Sequence, residues 1–302
     1  MVGASSASAQ PTSEPATQPA TILGAKQFDM PSRIAGRTYR IFVSKPALPP
    51  PPEGYPVVVV LDGNFGFPVA AAQMALAELG ELPPAIIVGV GYPVDSLVPA
   101  MKLRTTDLTT PIAPERVPAE MQAGPLAGAT FGGAEEFRRF LVEELRPRIA
   151  AENKVDLKNQ TLVGDSLGGL FALDVLLKHP GSFRTFVIGS PSIWWNERAV
   201  LAGEADFAER LAAAPSKPRV LVTVGSLEQD TTKPPPGMPR EQYVRLVNQA
   251  RMVDNARELA ERLGKLEGGP GYAVRFDSLA DETHISVVPA TVSRGLVFAL
   301  KP

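Results

Sequence analysis

Short apolar runs recur along the chain, and longer stretches with helical spacing separate them. Residues 56–61 (PVVVVL) and 85–90 (AIIVGV) are continuous and rich in β-branched side chains. That pattern belongs to parallel strands buried on both faces. Residues 160–163, 183–188 and 219–224 read as further short strands, and 37–43 and 273–279 alternate as half-exposed ones. Between them, residues 69–79, 135–151, 170–178, 199–213, 240–263 and 288–300 repeat apolar positions at helical spacing. Strands alternating with helices predict a mostly parallel sheet covered on both faces. Two stretches break the rhythm: 92–133, rich in Pro, Thr, Met and Gly, and 229–239, with a proline run. Both follow buried strands, which puts both at the carboxyl edge of the sheet, where open α/β sheets bind ligands.

The first residues differ from the rest. Residues 1–20 hold small and polar side chains that cannot build a core, so a disordered leader is expected over 1–22. Ala7-Ser8-Ala9 has the small-residue form of a secretory cleavage site. Read as a trimmed signal, it places the protein in the periplasm or outside the cell; read as a plain leader, it leaves the cytoplasm open. One domain over 23–302, with a lid-like insertion near 92–133, accounts for the remainder.

Composition narrows the chemistry. The 302 residues contain no cysteine and two histidines. Disulfides, thiolate metal sites and cysteine nucleophiles are thereby excluded, and no metal or cofactor is expected. A net charge of −2 with mixed signs argues against nucleic acid as a partner. No apolar run reaches the ~18 residues of a membrane span. A small-molecule ester is the expected partner, and the sequence does not report an oligomeric state.

The chemistry centres on Gly164-Asp165-Ser166-Leu167-Gly168 between a strand and a helix. Gly-x-Ser-x-Gly in that context is a nucleophile elbow, a sharp turn that holds a serine hydroxyl above the sheet; glycine is expected at both flanks to avoid collisions. A neutral hydroxyl needs a base, and the base needs an orienting acid. His179 ends the helix that starts at the elbow, about 18 Å away at 1.5 Å per residue, and reads as a helix-terminal residue. His284 follows the last strand and is the candidate base. For the acid, Glu228 directly after residues 219–224 is favoured over Asp230, with Asp281 and Glu282 as alternatives. Two backbone N–H groups must face the developing oxyanion. These are assigned to Leu167, after the nucleophile, and to Asn64, which Gly63 places in a tight turn.

LDGNFGF at 61–67, RTTDLTTP at 104–111, VGDSLGGLFAL at 163–173, GSPSIWWNE at 189–197 and DETHISVVPA at 281–290 occur in that order. Together they resemble the esterase branch of the α/β-hydrolases that includes enterobactin (trilactone siderophore) esterases, S-formylglutathione hydrolase and mycolyltransferases. The similarity is greatest to the enterobactin-esterase-like group and spans roughly residues 24–300. It implies an α/β-hydrolase fold with Ser166 as nucleophile, His284 as base, and Asn64 and Leu167 as oxyanion donors. A mycolyltransferase glutamate after the corresponding strand supports Glu228, whereas some siderophore esterases act with a Ser–His pair. Gly63, Arg104 and Trp194 fall on the substrate side, with the Arg104 guanidinium expected to pair with catecholate or other electron-rich oxygens. Of Trp194 and Trp195, one is expected in the core. Phe65 replaces the sugar-binding arginine of the mycolyltransferases, and the missing cysteine departs from S-formylglutathione hydrolase. The expected activity is serine carboxylic-ester hydrolysis. An acyltransferase on the same fold, or a binding module with an inactive triad, are the alternatives.

Overall fold

The two continuous apolar runs lie at the centre of the sheet. In the computed structural model, which describes residues 20–77 and 79–301, β3 (Tyr55–Val60) and β4 (Ile86–Gly91) are buried at every position. Alternate valines of β3 serve opposite faces. Val57 and Val59 join one core cluster, and Val58 and Val60 join the other. The remaining strands are β1 (Ala25–Pro31), β2 (Thr38–Ser44), β5 (Val155–Asp165), β6 (Thr185–Gly189), β7 (Arg219–Gly225) and β8 (Ala273–Leu279). They form one eight-stranded sheet in the order β1-β2-β4-β3-β5-β6-β7-β8. β2 runs antiparallel to β1 and β4, and all pairs from β4 to β8 are parallel. This is the α/β-hydrolase arrangement.

Helices cover both faces. α1 (Gly63–Ala77) precedes β4, α2 (Leu97–Asp107) follows it, and α3 spans 134–152 with a wider π-type turn at Phe140–Leu145. α4 (Leu167–Lys178) and α5 (Phe207–Ala213) come next, then α6 (Arg240–Ala250), α7 (Met252–Gly264) and α8 (Val287–Leu300). α3, α4 and α7 pack on one face around Tyr39, Phe137, Phe140 and Phe171, while α1 and α8 pack on the other around Phe67, Met74 and Leu296. No helix among the described residues is long and apolar enough to cross a membrane.

Several elements depart from the sequence reading. Strand β1 has no buried residue; it is an edge strand held by pairing with β2, so it shows no apolar face to detect. α1 begins six residues before the predicted start at Val69, because glycines and Pro68 occupy its first turns. The predicted helix over 199–213 divides: its first part is a run of tight turns within Trp195–Glu204, with left-handed backbone at Asn196, Glu197 and Arg198. The predicted helix over 240–263 breaks at Arg251, whose φ of 44° is left-handed. There α6 buries only Val247 while α7 buries seven residues, so the two stretches cannot share one straight face. Buried Asn255 stabilises the break by donating to the Ala250 carbonyl at 2.9 Å. The expected leader over 1–22 falls almost wholly outside the described residues.

The stretch 92–133 is ordered by its threonines. Thr105 donates to the Thr130 carbonyl at 2.9 Å, and the Gly132 N–H donates to the Thr109 hydroxyl at 3.0 Å. Asp107 is buried beneath it, receives the Tyr92 hydroxyl at 3.0 Å and pairs with Arg37 at 3.2 Å. Burial pushes the Asp107 carboxyl up to about 6, with Arg37 opposing.

Asn255→Ala leaves the Ala250 carbonyl without its donor at the α6–α7 break. It is expected to lower unfolding stability by about 1–3 kcal/mol in urea titrations, the cost of an unsatisfied buried group. A change within about 0.5 kcal/mol would mean the left-handed turn holds without it.

Candidate active site

Five parallel strands, β3 and β5 to β8, end side by side, and the residues that follow them build the site. β5 ends at Asp165 and α4 begins at Leu167, leaving Ser166 alone in the turn with φ 61° and ψ −119°. Such backbone is strained for any side chain and persists only when its surroundings enforce it. The Ser166 N–H donates to Gly189 at 3.0 Å, and its carbonyl receives the N–H groups of Leu170 and Ser192. Glycine is needed at 164, where a Cβ would lie 2.2 Å from the Gly168 carbonyl oxygen. It is not sterically required at 168, where a Cβ would have 3.4 Å to Asp62 Oδ2, an ordinary contact. The constrained partner is Gly169, whose Cβ would meet the Gly189 carbonyl oxygen at 2.2 Å. The expectation of a collision at Gly168 is thus corrected by one residue.

His284 reaches the serine from the loop after β8. Its Nε2 lies 3.0 Å from Ser166 Oγ, and its Nδ1 lies 2.6 Å from Glu228 Oε2. The loop is pinned to the one that carries Glu228: the Asp281 N–H donates to Ser226 Oγ, and the Leu227 N–H donates to the Glu282 carbonyl. Asp281 and Glu282, the neighbouring alternatives for the acid, shape this turn instead. Asp281 takes a left-handed φ of 61°, and the Glu282 carboxylate accepts the Ser286 hydroxyl. The Asp230 carboxylate accepts the Thr232 N–H and hydroxyl, which hold it below the usual carboxylate range. Of the candidate acids, the geometry brings Glu228 to the imidazole.

The Glu228 side chain is completely buried. Its second oxygen, Oε1, accepts the Ser190 hydroxyl at 2.5 Å and the Gly225 N–H at 2.7 Å. Ser190 was not among the residues singled out by sequence. Its signal was available: it stands directly after β6, inside Ser-Pro-Ser, at the sheet edge between the elbow and the acid. For His284, burial disfavours the charged ring, but the Glu228 hydrogen bond and charge, helped by Asp165, outweigh it and raise the imidazole above its ordinary 6.5. Burial also lifts the Asp165 carboxyl to about 7, against the pull of His284. His179 caps α4 and faces Glu135 at 3.6 Å, apart from this network.

The two expected oxyanion donors, Asn64 and Leu167, lie in the opening turns of α1 and α4, after the adjacent strands β3 and β5. N–H groups there lack intrahelical acceptors. The Asn64 side chain is fixed on the Tyr92 backbone, donating at 3.0 Å and accepting at 2.8 Å. The left-handed residue of this turn is Asp62, with φ 51°, rather than Gly63. Gly63 is buried, and a Cβ there would meet the Val90 nitrogen at 2.7 Å, so its role is close packing on β4 and not substrate contact.

Arg104 also differs from expectation. Its guanidinium is buried and forms a two-pronged pair with Asp62, Nε to Oδ1 at 2.7 Å and Nη2 to Oδ2 at 2.8 Å, and Nη2 lies 3.4 Å from the Asp165 carbonyl. Burial works against its charge, but Asp62 more than compensates. The fork that was expected to grip substrate oxygens instead joins the turn before Asn64 to the residue before Ser166.

Two cavities meet at Ser166 and His284. One, of about 360 Å³, is lined by Pro118, Met121, Ser192, Trp194, Gln249 and Met252. Trp194 therefore borders Ser166 and His284, while Trp195 is buried in the core against Phe131. The other, of about 500 Å³, opens between α1, α2 and the start of α8. Among the described residues no group of three or more His, Cys, Asp or Glu is placed to hold a metal ion.

Comparison with known proteins agrees with this architecture. Residues 32–278 match the family described as Putative esterase. The chain is 40% identical over 286 residues to the ferri-bacillibactin esterase BesA of Bacillus subtilis, covering 93% of this chain and 91% of that protein. It is 32% identical over 250 residues to the siderophore triacetylfusarinine C esterase of Aspergillus fumigatus, covering 80% of each. The crystal structure of the BES protein from Bacillus cereus superposes with a TM-score of 0.80 at 35% identity, over 95% of this chain and 100% of that one. Fold and family together define an α/β-hydrolase. The chain belongs to this esterase family, and it is an esterase.

Two substitutions test how the site is held. Gly169→Ala forces a side chain onto the β6 carbonyl and should destabilise the protein by about 1–3 kcal/mol. Gly168→Ala should be neutral or gain a few tenths from helix propensity. Equal losses in thermal or urea unfolding would contradict the packing described. Arg104→Ala removes one partner of a buried pair, which costs up to about 3–5 kcal/mol. It should lower kcat/KM for neutral and anionic esters alike; a loss confined to anionic esters would show that the guanidinium reads the substrate.

Proposed function

We propose that this esterase cleaves siderophore-type esters through a Ser166–His284–Glu228 triad and an acyl-enzyme. The observation that carries the reading is the unbroken hydrogen-bond chain from the serine hydroxyl, at 3.0 Å, through the imidazole, at 2.6 Å, to a fully buried carboxylate. It is set on a strained elbow that leaves the hydroxyl at the junction of two cavities. Ser166 Oγ attacks the ester carbonyl carbon as His284 Nε2 takes its proton. Glu228 keeps the Nδ1 proton in place and stabilises the imidazolium. The N–H groups of Leu167 and Asn64 receive the negative charge on the carbonyl oxygen. His284 returns the proton to the departing alkoxide, giving the alcohol. A water, deprotonated by the same imidazole, then adds to the acyl carbon, and as the acyl–Oγ bond breaks His284 returns that proton to Ser166 Oγ and the carboxylic acid is released.

The relatives support the substrate class. Their names specify a ferri-bacillibactin esterase and a siderophore triacetylfusarinine C esterase, and the high coverage of both chains argues for the same class of small-molecule partner here. Trp194 and Gln249 offer an aromatic face and an amide beside the serine, suited to an arm with a flat or polar surface.

Ser166→Ala should abolish turnover of a ferric trilactone siderophore and of short nitrophenyl esters while leaving the fold intact, with losses of several orders of magnitude. Activity within tenfold of the parent would remove the serine mechanism. The acid limb of the kcat/KM profile reports the free-enzyme imidazole, which must be neutral to act. Because Glu228 raises His284, that limb should lie above the ordinary histidine range. Glu228→Gln keeps the burial but removes the charge, so the limb should move to lower pH, together with a rate loss of about 10²–10⁴. An unmoved limb would mean that Glu228 does not govern the base, and a Ser–His pair would be acting alone.

A further inference from the structure

The 500 Å³ cavity beside Ser166 has a chemistry distinct from that of its neighbour. Its walls are Phe65 and Val69 of α1, Leu97 and Met101 of α2, and Ile285 and Val288 around the start of α8. Its floor is Val60, Val163 and Val292, side chains of the apolar cluster on that face of the sheet. Ser166 and His284 also line it. Four charged or titratable side chains border it: Asp62, Arg104, Asp165 and His284. Arg104 is spent on Asp62, and His284 is held by Glu228. An anionic arm entering here would thus meet carboxyl groups and no uncommitted cation.

The mouth is as apolar as the walls. Among the described residues nine large apolar side chains are exposed, and three of them, Phe65 at 45%, Leu97 at 58% and Ile285 at 79%, border this one cavity. Exposed apolar side chains scattered singly need no explanation, but clustering at an opening that ends on a reactive serine does. The volume falls in the range of about 300–1,000 Å³ usual for small-ligand sites.

We infer that this trough seats an aliphatic arm of the ester substrate, as the acyl or the alkoxy half, while the aromatic or polar arm occupies the cavity of Trp194 and Gln249. The inference rests on the esterase reading, because the ester carbon held at Ser166 Oγ is what directs one arm into the trough. It makes the enzyme selective for esters of medium-chain aliphatic acids or alcohols over their two-carbon counterparts.

The test uses two series on the intact enzyme. Nitrophenyl acetate, butyrate, hexanoate and octanoate lengthen the acyl half; ethyl, butyl, hexyl and octyl acetate lengthen the alkoxy half. The arm that enters the trough should raise kcat/KM by up to roughly fourfold per seated methylene, equivalent to about 0.8 kcal/mol. Leu97→Asp, at an exposed position, should lower the octanoate-to-acetate or octyl-to-ethyl ratio at least tenfold, and Val69→Trp should shorten the optimal chain. Binding of methyl octanoate to Ser166→Ala, followed by calorimetry, gives a reading without turnover and should weaken at least tenfold when Leu97→Asp is added. Two flat series with acetate turned over would overturn the trough and leave the esterase reading standing. No turnover of any ester, with octanoate binding still sensitive to Leu97→Asp, would overturn the serine chemistry and leave the trough standing.

Discussion

A buried carboxylate sets the terms for the rest of the site. Glu228 has no exposed side-chain surface, and an isolated charge in such a place is prohibitively unstable. It is tolerated because the Ser190 hydroxyl, the Gly225 N–H and the His284 ring all reach it. Each donor comes from a different part of the chain: the end of β6, the end of β7 and the loop after β8. Satisfying one carboxylate therefore fixes the relative position of three strand ends. Gly225 is drawn in so far that a Cβ would lie 2.4 Å from the Glu282 carbonyl oxygen, which locks the His284 loop to the Glu228 loop. His284 is positioned as a consequence of Glu228 being solvated by protein rather than by water.

Much of this was legible in the sequence, and the reasons differ by element. The buried strands announce themselves because nothing polar interrupts them, and the elbow because a serine follows a sterically required glycine at 164 between a strand pattern and a helix pattern. His284 follows by elimination, since only two histidines exist and the other ends a helix. Glu228 was separable from Asp230 only as a preference, because both follow the same strand; what decides between them is that one side chain turns into the protein and the other caps its own loop. Strand β1 and the break at Arg251 escaped because each is defined by partners distant in sequence or by a single backbone angle. Ser190 escaped for a related reason. A hydroxyl that solvates a carboxylate 38 residues away leaves no periodic trace.

Arg104 shows where residue type misleads. An arginine near an ester site suggests recognition of anionic oxygens, and its neighbours on the carboxyl edge of the sheet encourage that reading. Yet Asp62 sits in a left-handed turn after β3 with its carboxylate aimed at the same place. A two-pronged pair between them satisfies both groups, leaving little of the fork for a ligand. The pair also reaches the Asp165 carbonyl, so one guanidinium spans the turns that present Asn64 and Ser166. Charge that seemed available for binding is consumed in holding two turns in register.

The same helix then constrains how substrate enters. α2 carries Arg104 toward the buried pair, and Leu97 and Met101 toward the apolar cavity. Its threonines are tied to Thr130, and Asp107 at its last turn is held by Tyr92 and Arg37. Swinging such a helix outward would break two ion pairs and uncover two carboxylates in one motion. Anchored in this way, the segment forms a wall of the cavity. An ester arm in the apolar cavity thus lies against an anchored helix, and the same helix braces the serine turn through the contact of Arg104 with the Asp165 carbonyl.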